Sequence, residues 1–299
     1  MKQKKIYSVV LILIGFVNFL GRAEEPGKLE IETGLNYPLN FNISLSYFLR
    51  FHMENNTAKY TELKLNGSLK PANILGSFNL KLAYLPFINF IAEASLGTGW
   101  AYPALNFYGI AENQNVNNFQ VIEPLYFSKL FFNAQGGIEL YFNLNSKIRN
   151  EWADLILKTE HFINYKALFP ARKEDFWFFD NDLGENRNGA AYKGSYSIEY
   201  NMPLYLNGIR LEFITYKKLY KPLPGTINKA EKLWNFELRS SLFFKPAEKI
   251  RIKLNAVWKT APIYYNFKDK THFTKKIINS KKIIDMFFES AGVSLIFKL

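Results

Sequence analysis

Along most of the chain apolar and polar residues alternate with a period of two. Leu29, Ile31, Thr33 and Leu35 alternate with Glu30, Glu32 and Gly34, and Phe41, Ile43, Leu45 and Tyr47 with Asn42, Ser44 and Ser46. The theme recurs at Leu63–Gly67, Phe78–Leu82, Ile88–Leu96, Phe132–Phe142, Leu155–Lys166 and Tyr192–Tyr200. It continues where Ile209, Leu211 and Phe213 oppose Arg210 and Glu212, and where Phe236 and Leu238 oppose Glu237 and Arg239. Next, Ile250, Ile252, Leu254 and Trp258 oppose Arg251, Lys253 and Lys259. Last, Ala291, Val293, Leu295, Phe297 and Leu299 oppose Ser290, Gly292, Ser294 and Lys298. Side chains of a strand point alternately to its two faces, so each segment predicts a strand with one apolar face. A helical period of 3.6 fits almost none of them. The pattern predicts twelve strands, each about ten residues long, the length of a tilted bilayer-crossing strand.

The spacing between segments adds a second signal. Numbered in order, the long connections 99–127, 169–190, 219–231 and 262–285 follow segments 5, 7, 9 and 11. Short ones, at 54–58, 204–207 and 246–248, follow segments 2, 8 and 10. Long loops on one side and tight turns on the other are what an even-numbered antiparallel barrel in a bacterial outer membrane produces. The stretches near Pro38 and Pro71 are short, which makes part of the long-loop rim low. Tyr84, Tyr165, Tyr192, Tyr216 and Trp258 fall near segment ends, where interfacial aromatic girdles lie.

The final stretch, Met286 to Leu299, sharpens the expectation. A strand with both edges open invites aggregation, and closure onto the first strand removes the edge. This stretch resembles the C-terminal strand of bacterial outer-membrane β-barrel proteins, which closes the barrel and carries the signal for the assembly machinery. It departs from that class in ending on Leu299, with Phe297 two positions earlier, where an aromatic residue is usual. The resemblance implies outer-membrane lipids and the barrel-assembly machinery as partners.

The 299 residues include no cysteine, and 17% are aromatic. The absence of disulfides is compatible with export. At the N-terminus Lys2, Lys4 and Lys5 precede an apolar run from Ile6 to Leu20, and Gly21-Arg22-Ala23 has a small-x-small cleavage pattern. Residues 1–23 are therefore expected to be a removed secretory signal, and 24–299 the barrel domain, in the outer membrane of a double-membraned bacterium. The apolar run is shorter than the ~20 residues of a spanning helix. Removing Lys2, Lys4, Lys5 and Arg22 lowers the formal charge from +12 to +8. The basic residues are dispersed along strands and loops, so nucleic acid is not an expected partner.

Candidate chemistry sits on the polar face and in the loops. Arg210, Glu212, Glu237, Arg239, Arg251 and Lys253 lie on three successive segments. Adjacent strands are ~4.8 Å apart, so the six are expected to form one lumenal cluster with an excess of positive charge. Two readings follow: a constriction that prefers small polar or anionic solutes, or a salt-bridged interior that passes nothing. Trp100, Tyr102, Trp177, Asp180 and Asp182 stand in the two longest early loops as ligand-contact candidates, because aromatics beside amides suit sugar or nucleoside recognition. Alternatively, the apolar loop residues fold into the lumen or onto the rim. The Asp180–Asp182 run lacks calcium-loop spacing, and no metal or cofactor is expected. His52 ends a strand, His161 falls on the apolar face and His272 lies near Asp269, too little motif to predict an enzyme. The chain thus predicts an all-β transmembrane up-and-down barrel. It is expected to act as a porin-like channel, alternatively as a non-conducting surface barrel, and less favourably as a rim hydrolase.

Overall fold

The computed structural model describes residues 27–37, 40–53, 56–85, 87–102, 107–113, 123–124, 126–148, 150–172, 175–180, 186–220, 233–262 and 284–299. The leader expected at 1–23 lies outside the described residues. In chain order the strands begin with β1 (Lys28–Tyr37), β2 (Asn40–Met53), β3 (Asn56–Lys70), β4 (Asn73–Ala83) and β5 (Ile88–Gly99). Short strands follow: β6 (Ala101–Tyr102), β7 (Phe107–Tyr108), β8 (Ile110–Asn113) and β9 (Glu123–Pro124). Then come β10 (Leu130–Asn143), a one-turn helix α1 (Asn145–Ile148), β11 (Leu155–Phe169) and the short β12 (Phe176–Phe179). The remainder is β13 (Gly189–Asn201), β14 (Leu206–Lys218), β15 (Asn235–Ala247), β16 (Ile250–Pro262) and β17 (Ile284–Lys298).

Twelve of these close into one antiparallel barrel, in the order β1-β17-β16-β15-β14-β13-β11-β10-β5-β4-β3-β2. Every neighbour is the next long strand in sequence, and β17 joins β1 through pairs from Glu30↔Lys298 to Tyr37↔Ala291. This is the up-and-down topology the connection lengths predict. Between β10 and β11 lie α1 and a 3-10 turn, Glu151–Ala153. Most strands run to 13–15 residues, for example β3, β11 and β17 at 15 each. That exceeds the ~9–11 needed to cross hydrocarbon, so the wall continues beyond the bilayer.

Which face points where follows the alternation. Leu35, Ile43, Leu45, Leu96, Leu140, Leu157, Ile198, Leu211, Phe213, Leu254 and Leu295 are all exposed on the outer surface. Ser46, Asn89, Glu139, Asn164, Ser195, Ser241 and Ser294 are buried inside. A water-exposed apolar belt of this extent is unfavourable in water and suits lipid. On the outer wall an apolar groove of 730 Å³ runs past Leu140, Phe142, Leu157, Ile198, Leu211 and Leu238.

The outer position expected for His161 stands, since it registers with the exposed Ile138. It is the seventh of fifteen residues in β11, away from the strand ends. Its Nδ1 lies 2.7 Å from the Tyr192 hydroxyl and its Nε2 3.2 Å from Thr159 Oγ1. Tyr196 meets the ring edge-on at 5.7 Å. Both ring nitrogens thus have partners, which lowers the cost of a polar ring facing lipid.

The alternation slips near the end of the chain. Val257 pairs with Ser290 but Trp258 with Phe288, so Glu289 has no opposite residue. One extra residue is a β-bulge, and it re-aims side chains. Glu289 then meets Lys259 at 2.5 Å, while Phe288 packs on Trp258 outside the wall.

Candidate functional site

Inside the wall, the strand registers join charges that are far apart in sequence. Glu139, on β10, is 3% exposed; it lies 2.6 Å from Lys81 Nζ and 3.4 Å from Lys158 Nζ, and accepts from Asn89 Nδ2 at 2.6 Å. Lys158 also reaches Glu160 at 3.1 Å. Across β13, Lys158 and Glu212 both register with Ser197. Glu212 accepts from Ser195 Oγ at 2.7 Å, lies 3.4 Å from Arg210, and registers with Arg239. Arg239 pairs with Glu237, which is 3.9 Å from Lys259, and Lys259 continues to Glu289. The result is a run of ion pairs around much of the barrel from β4 to β17.

Of the six residues expected to cluster, Arg210, Glu212, Glu237 and Arg239 do. Lys253 registers with Phe243, two positions along β15 from the Ser241 that registers with Arg210. Arg251 does not join them. Register shifts on β15 at Phe244/Ala247 and on β14 at Leu206/Gly208 mark the short-turn end of the wall. There Arg251 donates to Asn207 Oδ1 at 3.2 Å and lies 4.4 Å above the Phe243 ring. The run brings Glu139, Glu160 and Glu289 beside the cations, so every arginine and lysine in it faces a carboxylate. Desolvated charges must pair in this way.

The early long loops enter the mouth of the barrel. β12, β8 and β9 form a three-stranded sheet, and β6 pairs with β7. Trp177 is 0% exposed and packs with Phe179, Ile110, Phe131, Leu168, Leu75 and Ala171. Phe131 stacks on Phe179 at 4.1 Å and meets Trp177 edge-on at 5.9 Å. Trp177 Nε1 donates to Asn188 Oδ1 at 2.9 Å, and Asn188 also receives the Leu168 amide. Asp180, with a left-handed φ of 60°, pairs with Lys70 and accepts from Asn73 Nδ2 at 2.7 Å. Glu112, nearly fully buried, pairs with Lys129 at 2.6 Å. Backbone contact is close where Gly109 crosses the wall: a Cβ there would sit 1.7 Å from the Ala72 carbonyl oxygen. Only glycine fits.

These placements revise the loop candidates. Trp177 and Asp180 are engaged in seating the inner sheet; Trp177 is fully buried, whereas the Asp180 side chain stays 27% exposed. Trp100 stacks on Phe127 at 5.2 Å. Tyr102 lies on β6, where its side chain is outside the described set, as are Asp182, His272 and Asp269. Tyr216, expected in an interfacial girdle, instead lines the lumen and lies 5.3 Å beneath Lys166 Nζ. Among the described residues no group of three or more His, Asp or Glu is placed to hold a metal.

Beside the inner sheet a cavity of 450 Å³ stays open at the long-connection end. Its lining includes Glu93, Asn133, Gln135, Asn164, Lys166, Lys193, Lys218, Arg239 and Lys259. Sequence reasoning missed it, because its walls come from β5, β10, β11 and β13–β17. Only the closed register unites them.

The molecule is therefore a twelve-stranded barrel with an apolar exterior, a charged interior and a partly filled mouth. No family model matches the chain, and no curated protein matches it. Among solved structures it is similar to the NanC porin, at 9% identity over 91% of this chain and 100% of that one, with a TM-score of 0.43. It is similar to an outer-membrane channel from Pseudomonas putida F1, at 8% identity over 93% and 98% of the two chains and a TM-score of 0.44. The translocator domain of the autotransporter NalP from Neisseria meningitidis gives 7% identity over 98% and 97%, with a TM-score of 0.42. At these values the likenesses do not bear on function, and the topology stands on this chain's own strand pairing.

Proposed function

We propose that the protein is an outer-membrane channel that passes small polar or anionic solutes, exported through its N-terminal leader and inserted by the barrel-assembly machinery. The observation that carries this reading is the 450 Å³ polar cavity left beside the inner sheet at the long-connection end. A barrel meant only as an anchor gains nothing from an unfilled, lysine-bearing space, since buried polar groups without partners cost stability. The paired charges from β4 to β17 set no strong charge barrier of their own. Catalysis is not part of this proposal: His161 faces outward and is bonded to Thr159 and Tyr192.

Single-channel recording in planar bilayers tests it. Discrete conductance steps are expected. Their complete absence, from protein that has demonstrably inserted, overturns the channel. The alternative it would favour is a non-conducting surface barrel, for which the inward packing of Trp177 and Phe179 already supplies a motive, because those side chains fill part of the mouth.

A further inference from the structure

We propose that the cavity beside the inner sheet is a binding site for a hydroxylated carboxylate, a small anion that carries hydroxyl groups next to its charge. This deepens the channel proposal by naming a solute class, although binding itself needs no conduction.

The carboxylates in the lining are already engaged. Glu93 accepts from Gln135 Nε2 at 2.8 Å, Glu237 pairs with Arg239, and Glu289 takes Lys259 at 2.5 Å. Two lysines on neighbouring strands differ. Lys166 Nζ lies 5.3 Å from the Tyr216 ring centre and Lys193 Nζ 6.0 Å from that of Phe162. Neither has a carboxylate partner among the described residues. A ring face attracts an ammonium but does not neutralise it. Such cations, held inside a partly desolvated space, favour an anion.

A second, independent observation concerns the amides. Asn164 is 3% exposed, and its Oδ1 has no hydrogen-bond partner; the Oδ1 of Asn133 is likewise buried and unmet. Asn133 registers with Lys166, and Asn164 with Gln135, so the unmet acceptors stand beside the unpaired cations. An acceptor of this kind needs a donor. A simple anion supplies none, whereas a hydroxylated one supplies both charge and donors. The volume falls within the ~300–1,000 Å³ typical of small-molecule sites.

The test uses the full chain refolded in detergent, with equilibrium dialysis of three probes: gluconate, hexanoate and sorbitol. Gluconate has charge and hydroxyls, hexanoate only charge, sorbitol only hydroxyls. Gluconate is expected to bind at least about ten-fold more tightly than either other probe. The double variant Lys166→Gln with Lys193→Gln is expected to lose about ten-fold or more of that affinity while keeping the gel mobility of an intact barrel. Asn164→Ser is expected to weaken gluconate and leave hexanoate unchanged. Equal binding of gluconate and hexanoate, no binding of gluconate, or unaltered binding by the lysine variant overturns the site. Conductance steps without gluconate binding remove the site and leave the channel. Gluconate binding without steps removes the channel and leaves the site.

Discussion

Trp177 admits two readings in the sequence, ligand contact or packing into the lumen, and its surroundings favour the second. An aromatic beside acidic groups in a long loop suggests ligand stacking, yet the ring is fully buried against Phe131, Leu168 and Phe179. Removing it should undock the inner sheet and leave the wall intact. Trp177→Ala is expected to cost about 3–5 kcal/mol of that local docking. The check is limited trypsin digestion in liposomes: faster cleavage within 171–188 is expected, with unboiled gel mobility unchanged. His161 lends itself to a comparable substitution. His161→Lys places an ammonium on the lipid face midway along β11, at a cost of about 2–4 kcal/mol. His161→Leu costs about 1 kcal/mol, the loss of the bond to the Tyr192 hydroxyl. Urea-driven unfolding from lipid vesicles should rank the two in that order. The charged residues were legible one at a time, since Arg210, Glu212, Glu237 and Arg239 stand on the expected face. Glu139 was not singled out, because its partners Lys81 and Asn89 are 58 and 50 residues away and meet it only through the register of β4, β5 and β10.

Among the elements, the twelve long strands announced themselves because each carries a clean period of two and a large apolar face. The short strands did not. β8 and β12 have four residues each and β9 two, too few for any period to emerge. Nothing local marks their descent into the lumen except glycine spacing. Gly109 crosses the wall so closely that a side chain cannot enter, and Gly109→Val should expel the loop. Single-channel conductance of that variant is expected to exceed the wild type, and an unchanged or smaller value would contradict the inner sheet as a filler of the mouth. The bulge at Glu289 was equally hidden, since one extra residue leaves the alternation intact on either side of it. It moves Phe288 outward and brings Glu289 to Lys259.

At the scale of the whole molecule one property governs the rest: the alternating faces are a lipid face and a lumen face of a closed barrel. The cysteine-free chain allows a clean survey. Single cysteines at Arg210 and Glu212 should react with a membrane-impermeant thiol reagent in liposomes, and those at Leu211 and Phe213 should be shielded by lipid. Loop parity and face alternation carried this architecture in the sequence, because both are consequences of threading one chain back and forth across a bilayer. The cavity was not legible, because it belongs to the closed sheet as a whole. The most direct single measurement is gel mobility of the detergent-refolded protein before and after boiling. A closed barrel resists detergent, so the unboiled form should migrate differently and boiling should abolish the difference. Identical mobility of the two forms, from protein that stays soluble without detergent, would contradict the lipid face and with it every statement about a channel.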